Sequence, residues 1–171
     1  KRVHNILFTA KIIEKQYNNQ FPKEYNDLIK LQGIGDYTAS MILSIAFNKN
    51  HYIPIDGNIK RIMSRLYALP KGKQTLTNYK QYTKRYIDSC YPGDSVQALM
   101  DLGREICKPR APICIHCPLS QNCKAKNKGN VEKFPYKKIN KKIPHYNVIV
   151  GLIWENNKFV ISRRPNDKLL G

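Results

Sequence analysis

The feature that most restricts the fold of this chain is a group of four cysteines within seventeen residues. Cys107, Cys114, Cys117 and Cys123 follow the spacing C-x6-C-x2-C-x5-C in the segment CKPRAPICIHCPLSQNC. Four thiolates at this spacing can surround a tetrahedral zinc ion or a four-iron cluster, and the spacing alone does not choose between them. We expect a metal site in a reduced compartment. Cys90 lies outside the spacing and is expected to be a buried, small apolar residue.

The charge of the chain indicates a polyanionic partner. Lys and Arg number 30 against 12 Asp and Glu, so the formal net charge is +18 over 171 residues. Hydrophobic residues make up 42%, which is enough for a packed core. Nucleic acid is the leading candidate partner. A membrane is disfavoured because no apolar run approaches the ~18 residues of a spanning helix, and no signal peptide is visible.

Hydrophobic periodicity predicts a mainly helical fold over residues 1–125. The segment LQGIGDYTAS has the form helix, Gly-Ile-Gly, helix, which places a helical hairpin at about 28–47. Pro22 is expected to open the helix before this turn, and Asp36 is expected to cap the helix after it. A further amphipathic helix begins at or just after Asp56.

The C-terminal part of the chain differs in composition. Residues 124–142 hold eight Lys and one Glu, and a basic linker is expected at 126–145. Beyond it, HYNVIVGLIWENNKFVISRRP predicts a β-hairpin with ENNK as its turn. Two strands alone are marginally stable in water, so residues 146–171 are expected to be the start of a truncated second domain.

The Gly-Ile-Gly turn is a candidate site for one DNA phosphate. Gly33 and Gly35 would let the turn expose consecutive backbone N–H groups, and the following helix would add its N-terminal dipole. Ile34 would anchor the turn in the core. An ordinary glycine-rich turn between two helices would have the same pattern. The net charge and the neighbouring motifs favour DNA, contacted without reading of its sequence.

These motifs together resemble the helix-hairpin-helix superfamily of base-excision DNA glycosylases. Within it, GIGDYTASMILSIAF, PIDGNIKRIMSRLYAL and MDLGREICKPRAPICIHCPLSQNC closely resemble the MutY-type adenine glycosylase family, over residues 1 to about 125. The hairpin at 146–164 is similar to the opening of that family's C-terminal MutT-like, or Nudix-like, α/β domain. The resemblance implies the helix-hairpin-helix glycosylase fold and double-stranded DNA as the partner.

The resemblance also assigns the binding residues. It implies one [4Fe–4S] cluster on the four cysteines of the loop 107–123, in place of the zinc that spacing leaves open. It implies a DNA-contacting surface around the Gly-x-Gly turn, formed by Gln32, Gly33, Ile34, Gly35, Tyr37 and Thr38.

Catalytic roles follow from the same resemblance. Asp56 would stabilise the positive charge that develops on the deoxyribose when an N-glycosidic bond breaks, with Asn58 in support. A plain helix N-cap explains the position of Asp56 equally well. Tyr37 occupies the place of the nucleophilic Lys of bifunctional relatives and cannot form a Schiff base, so a monofunctional enzyme is expected. The family's general acid, a Glu, lies upstream of Lys1, so we expect an internal fragment that is inactive alone.

The expected function is base excision repair. The full protein would be a monomer of the bacterial cytoplasm, associated with the nucleoid, and would remove adenine mispaired with 8-oxoguanine or guanine. One alternative is a mismatch thymine or uracil glycosylase, or an endonuclease III-like glycosylase, against which the MutT-like segment argues. The other is a non-catalytic zinc-binding module that binds DNA, which visible absorbance would separate from an iron–sulfur protein.

Overall fold

The computed structural model describes residues 2–136 and 151–161, and the first of these ranges is helical without strands, as the periodicity predicted. Its α-helices are α1 (Arg2–Gln16), α2 (Tyr25–Leu28), α3 (Asp36–Met41), α4 (Gly57–Leu66), α5 (Leu76–Lys84), α6 (Pro92–Asp101) and α7 (Lys124–Asn127). α3 and α6 continue into π-helical turns at Ile42–Ala46 and Leu102–Ile106, and single 3-10 turns lie at Lys71–Lys73, Cys114–His116 and Val131–Lys133. None of the described helices is long and apolar enough to cross a membrane.

The larger hydrophobic core is built around α4. Ile59, Ile62 and Met63 recur at helical spacing and are at most 3% exposed. They pack in one cluster with Ile53, Ile55, Leu69, Tyr79 and Leu99. Burying each such aliphatic side chain contributes about 1.5–3 kcal/mol to stability. The residue before its first turn, Asp56, is positioned by this packing.

A second cluster holds the helical hairpin. Leu28 of α2, Leu31 in the turn after it, Ala39 of α3 and Leu43 in the following π-helical turn are buried together, and Ile34 packs half-buried against them. The turn residue Ile34 therefore anchors the hairpin in apolar contacts, as the sequence predicted.

Two helix starts differ from the sequence prediction. Asp36 is the first residue of α3, and the cap position belongs to Gly35, whose backbone is extended. The Asp36 carboxylate instead accepts a hydrogen bond from the Tyr25 hydroxyl at 3.0 Å, so it does not cap its own helix. Pro22 does not open α2, because the cap residue is Glu24, two positions later.

Cys90 was expected to be buried and is exposed. It lies in the turn between α5 and α6, where its backbone N–H donates to the Asp88 carboxylate at 2.7 Å and its carbonyl accepts from the Asn48 side chain at 2.8 Å. Polar contacts of this kind shape the turn without requiring apolar packing of the thiol.

The chain divides into two compact units, residues 1–137 and 138–171. The first unit includes the buried side chains of Ala125 and Phe134. In the second, β1 (Trp154–Glu155) pairs antiparallel with β2 (Lys158–Phe159). The two asparagines of the predicted ENNK turn have φ values of 47° and 57°, as a two-residue hairpin turn requires. The expected strand at 146–150 and the end of the hairpin at 162–164 lie outside the described residues.

Candidate functional site

Asp56 stands at the N-terminus of α4 and is held by two hydrogen bonds. Its Oδ1 accepts from the backbone N–H of Ile59 at 2.7 Å, which is the capping bond that Asp makes at this position. Its Oδ2 accepts from the Asn58 Nδ2 at 3.0 Å. The side chain is half-buried, so one edge of the carboxylate is fixed by the protein while the residue remains accessible.

Asn58 is itself held by a buried arginine. The Arg61 Nη2 donates to the Asn58 Oδ1 at 2.8 Å and to the Gly103 carbonyl at 2.6 Å, and its Nε donates to the Cys107 carbonyl at 2.7 Å. Burial lowers the pKa of the Arg61 guanidinium, while the charges of Cys107 and Asp56 oppose that shift. A continuous chain of hydrogen bonds thus joins the first cysteine of the motif to Asp56.

Gly103 is required by the close approach of Asn58. A Cβ at position 103 would lie 2.6 Å from the Asn58 Cβ and 3.0 Å from its Cγ. Gly103 belongs to the π-helical turn that extends α6, and such single π turns are frequent at functional sites. The backbone at Gly103 therefore packs directly against the Asn58 side chain.

The Gly-Ile-Gly turn is braced by α1. The Gln32 carbonyl accepts from the Thr9 hydroxyl at 2.8 Å, and the Gln32 Nε2 donates to the Asn5 Oδ1 at 3.0 Å. Gly33 has a φ of +90°, and a Cβ there would lie 3.0 Å from the Asn5 Cβ. Gly35 differs, because a Cβ there would meet nothing within 4 Å. The backbone at Gly35 is therefore open to a ligand.

Tyr37 and Thr38 lie in the first turn of α3, and both are exposed. The Tyr37 side chain is 41% exposed. Partial burial raises the pKa of its phenol, and the negative charge of Asp56 raises it further. The structure thus brings Tyr37 within electrostatic range of Asp56.

The four cysteines of the motif line a single pocket. Burial raises the pKa of the Cys114 and Cys117 thiols, and the other thiols of the group raise it further because like charges repel. Sulfur atoms are soft donors that suit zinc or iron–sulfur clusters. A bound metal ion would deprotonate the thiols in spite of their raised pKa values.

The two candidate groups for this pocket differ in the sulfur spacing that they require. A tetrahedral zinc needs thiolates within about 4 Å of one another, because each Zn–S bond is ~2.3 Å. Within residues 2–136 and 151–161, no three His, Cys, Asp or Glu side chains are placed to hold one metal ion. The four thiols nevertheless line one shared pocket.

Three residues of this region were missed from the sequence: Arg61, Arg65 and Gly103. The two arginines stand at i and i+4 of α4, so they lie on one face of that helix. In a chain of net charge +18, they were indistinguishable from solvated basic residues. Nothing local signals the contact of Gly103 with Asn58.

The fold is that of the DNA glycosylases. The chain aligns with endonuclease III in a non-covalent complex with DNA, with a TM-score of 0.61 and 25% identity over 74% of this chain and 58% of that one. It aligns with a thermostable thymine-DNA glycosylase at a TM-score of 0.64 and 23% identity, over 74% and 59% of the two chains. Both alignments give the chain a helical DNA glycosylase fold.

In sequence, the chain is a homologue of the adenine DNA glycosylases, which confirms the resemblance inferred from the motifs. It is 37% identical to the adenine DNA glycosylase of Buchnera aphidicola (subsp. Schizaphis graminum) over 174 residues, 99% of this chain and 49% of the relative. It is 36% identical to that of Arabidopsis thaliana over 168 residues, 88% of this chain and 26% of the relative. The chain thus spans half or less of the length of these relatives. No protein-family model matches it.

Proposed function

We propose that the protein containing this chain is a monofunctional adenine DNA glycosylase of base excision repair. The observation that carries the proposal is the homology to adenine DNA glycosylases over 99% of the chain. The proposed substrate is double-stranded DNA with adenine opposite 8-oxoguanine or guanine. The proposed reaction is hydrolysis of the bond between the adenine and its deoxyribose.

The proposed role of Asp56 follows from its fixed charge. An adenine base must leave the duplex before its N-glycosidic bond can react, at a cost of a few kcal/mol that protein contacts offset. As the bond breaks, positive charge develops on the sugar, and a carboxylate held beneath the ring stabilises it. Asp56 needs little reorganisation for this task, because Ile59 and Asn58 already orient both of its oxygens.

The residue type at position 37 supports hydrolysis as the full reaction. Partial burial and the charge of Asp56 both raise the pKa of the Tyr37 phenol. A Schiff base needs an amine nitrogen, which a tyrosine side chain lacks in either protonation state. Water is therefore the final nucleophile in the proposed mechanism, and no strand cleavage accompanies base removal.

The proposed cofactor is one [4Fe–4S] cluster on Cys107, Cys114, Cys117 and Cys123. Its support is the pocket that the four thiols share, together with the resemblance of their spacing to that of the MutY-type glycosylases. When bound, the cluster would organise the basic loop at 108–113 and would take no part in hydrolysis. The four cysteines would bind it. Arg61 donates to both the Cys107 carbonyl and the Asn58 side chain, so a shift of Cys107 would also move Asn58.

The hairpin glycines allow a test of the proposed phosphate contact. Gly35→Ala should weaken binding to all DNA duplexes about equally, because the added methyl group enters the space open to the phosphate, which carries no base information. Stability should change little, since the substituted position has free space and a negative φ. Binding titrations on several duplexes, with and without a mismatch, measure this. A loss confined to one mismatch would contradict the proposed phosphate contact.

Gly33→Ala serves as the structural counterpart of that variant. Its φ of +90° and the crowding against Asn5 make a side chain strained, so we expect the free energy of unfolding to fall by about 1–2 kcal/mol. Thermal or denaturant unfolding measures the change. Comparing Gly33→Ala with Gly35→Ala separates two causes of weaker DNA binding. The first variant destabilises the turn, and the second only fills the space beside Gly35.

Gly103→Ala tests the support of Asp56. The added methyl group would displace Asn58, which donates to the Asp56 carboxylate. Displacements of about 1 Å can reduce rates by roughly a hundredfold, so we expect a large fall in base removal with DNA binding retained. Gly72→Ala, at an open position in a surface turn, is the matched control. Unchanged single-turnover rates in Gly103→Ala would exclude Asn58 as a support.

The proposed function itself is tested by single-turnover release of the base from duplexes carrying adenine opposite 8-oxoguanine, guanine or thymine. The experiment uses the full-length protein. We expect release from the first two duplexes and little from the third, with no strand cleavage. Release of thymine or uracil instead, from T·G or U·G duplexes, would favour a specificity like that of the aligned thymine-DNA glycosylase.

A further inference from the structure

Arg65 is a deeply buried charge at the edge of the cysteine pocket. It lies in the last turn of α4 and is 2% exposed. Its Nη1 donates to the Lys108 carbonyl at 2.6 Å, and its Nη2 donates to the Pro109 carbonyl at 2.9 Å. Its Nε lies 3.1 Å from the carbonyls of both Val131 and Phe134. The guanidinium therefore ties two chain segments, 108–109 and 131–134, to one helix.

The charge of Arg65 has no carboxylate partner in the described part of the chain. None of the ion pairs there involves it, and its oxygen partners are all backbone carbonyls. A buried ion without a partner charge is destabilising, because its loss of hydration is not offset by Coulomb attraction. A compensating negative charge is therefore expected close to the guanidinium.

The group in contact with Arg65 that can carry the compensating negative charge is the thiol of Cys107. The Arg65 Nη1 lies 3.4 Å from the Cys107 Sγ, within hydrogen-bonding range for sulfur. Arg65 also lines the pocket that the four cysteines share. Arg61, whose oxygen partners are likewise uncharged, reaches the carbonyl of the same cysteine. Two buried guanidinium groups of α4 therefore contact Cys107, Arg65 at its Sγ and Arg61 at its carbonyl.

We propose that Arg65 is the positioning residue of the four-thiolate site, where it supplies the counter-charge to a bound cluster and closes the pocket around it. The proposal rests on the proposed [4Fe–4S] cofactor. A cluster held by four thiolates has net negative charge, and nearby charges and hydrogen bonds to its sulfurs set its reduction potential. A cation at this distance favours the reduced, more negative cluster. The planar fork of arginine is needed because a lysine cannot donate to both segments at once.

The test uses full-length protein purified anaerobically, with Arg65→Met, Arg65→Lys and a control, Arg85→Met. Arg85 is also a guanidinium, but it is exposed and stacks on Tyr67 and Tyr82. The measured quantities are iron content, the midpoint potential of the cluster in a redox titration, and the rate of iron release to a chelator.

Distinct results are expected for each variant. Arg65→Met should shift the midpoint potential to more negative values and release iron roughly 10- to 100-fold faster, the usual effect of losing a partner of a metal ligand. Arg65→Lys should keep a potential near that of the unsubstituted protein, because the charge remains, but should release iron faster because the fork is lost. Arg85→Met should change neither quantity.

The outcomes separate this proposal from the cofactor proposal. Unsubstituted protein without iron would refute the cluster itself. Iron-containing protein in which Arg65→Met leaves the potential unchanged would reduce Arg65 to a brace for two loops and overturn the inference. If Arg65→Met does not fold, Arg65→Lys decides, since iron release at the unsubstituted rate would also overturn it.

Discussion

Asp56→Asn in the full-length protein is expected to lower the single-turnover rate of adenine release at least a hundredfold while mismatch binding is retained. The substitution removes the charge that would stabilise the developing sugar cation, an effect of ~3 kcal/mol that corresponds to roughly a hundredfold. The fold should survive, because Asn caps helices as well as Asp does and its Oδ1 can still accept from Ile59. One hydrogen bond, from Asn58, is lost, at a cost of about 1 kcal/mol.

Asp94→Asn is the matched control for this experiment. Asp94 is also a carboxylate in the first turn of a helix, α6, and it is exposed. Asp94→Asn should leave both the rate of adenine release and the binding of mismatch DNA unchanged. If Asp56→Asn releases adenine at the rate of the unsubstituted protein, Asp56 is only a helix cap and the proposed mechanism is wrong.

Replacing any one of Cys107, Cys114, Cys117 or Cys123 by Ser is expected to cost most of the bound iron. A hydroxyl is a poor substitute for a soft thiolate ligand. Removing a residue that only hydrogen-bonds to a metal ligand lowers metal affinity roughly 10- to 100-fold, so removing a ligand itself should lower it further. DNA binding should weaken too, because the loop at 108–113 loses the group around which it is arranged. Iron analysis, visible absorbance and binding titrations measure these effects.

Cys90→Ser is the control among the cysteines, because Cys90 is exposed in the turn before α6 and lies outside the shared pocket. It should retain iron and DNA affinity. Anaerobically purified protein containing one zinc and no iron would instead favour the zinc-binding alternative and refute the proposed cluster.

Features that depend on near neighbours in the chain were predictable from the sequence. The helix after Asp56 begins where the carboxylate can cap it, and the apolar spacing of α4 puts Ile59, Ile62 and Met63 in the core. The hairpin turn at Asn156 and Asn157 follows from the tolerance of asparagine for positive φ. In each case the deciding interaction lies within a few residues.

Local signals failed where another part of the chain competed for the same group. Asp36 has a suitable side chain for capping α3, but the Tyr25 hydroxyl, eleven residues away, binds its carboxylate. Cys90 has the residue type of a core position, but polar contacts with Asp88 and Asn48 determine the path of its turn. The sequence pattern within one segment cannot show which group elsewhere in the chain will bind a given side chain.

The sequence alone determined the helical character, the positions of the motifs and, through homology, the family of glycosylases to which the chain is related. Only the tertiary structure decided how the motifs support one another. Arg61 reaches residues 42 and 46 positions away, and Arg65 reaches residues up to 69 positions away. The physical reason is that a guanidinium is solvated or buried according to which carbonyls the folded chain brings to it. Composition and spacing report the charge of that group but not its surroundings.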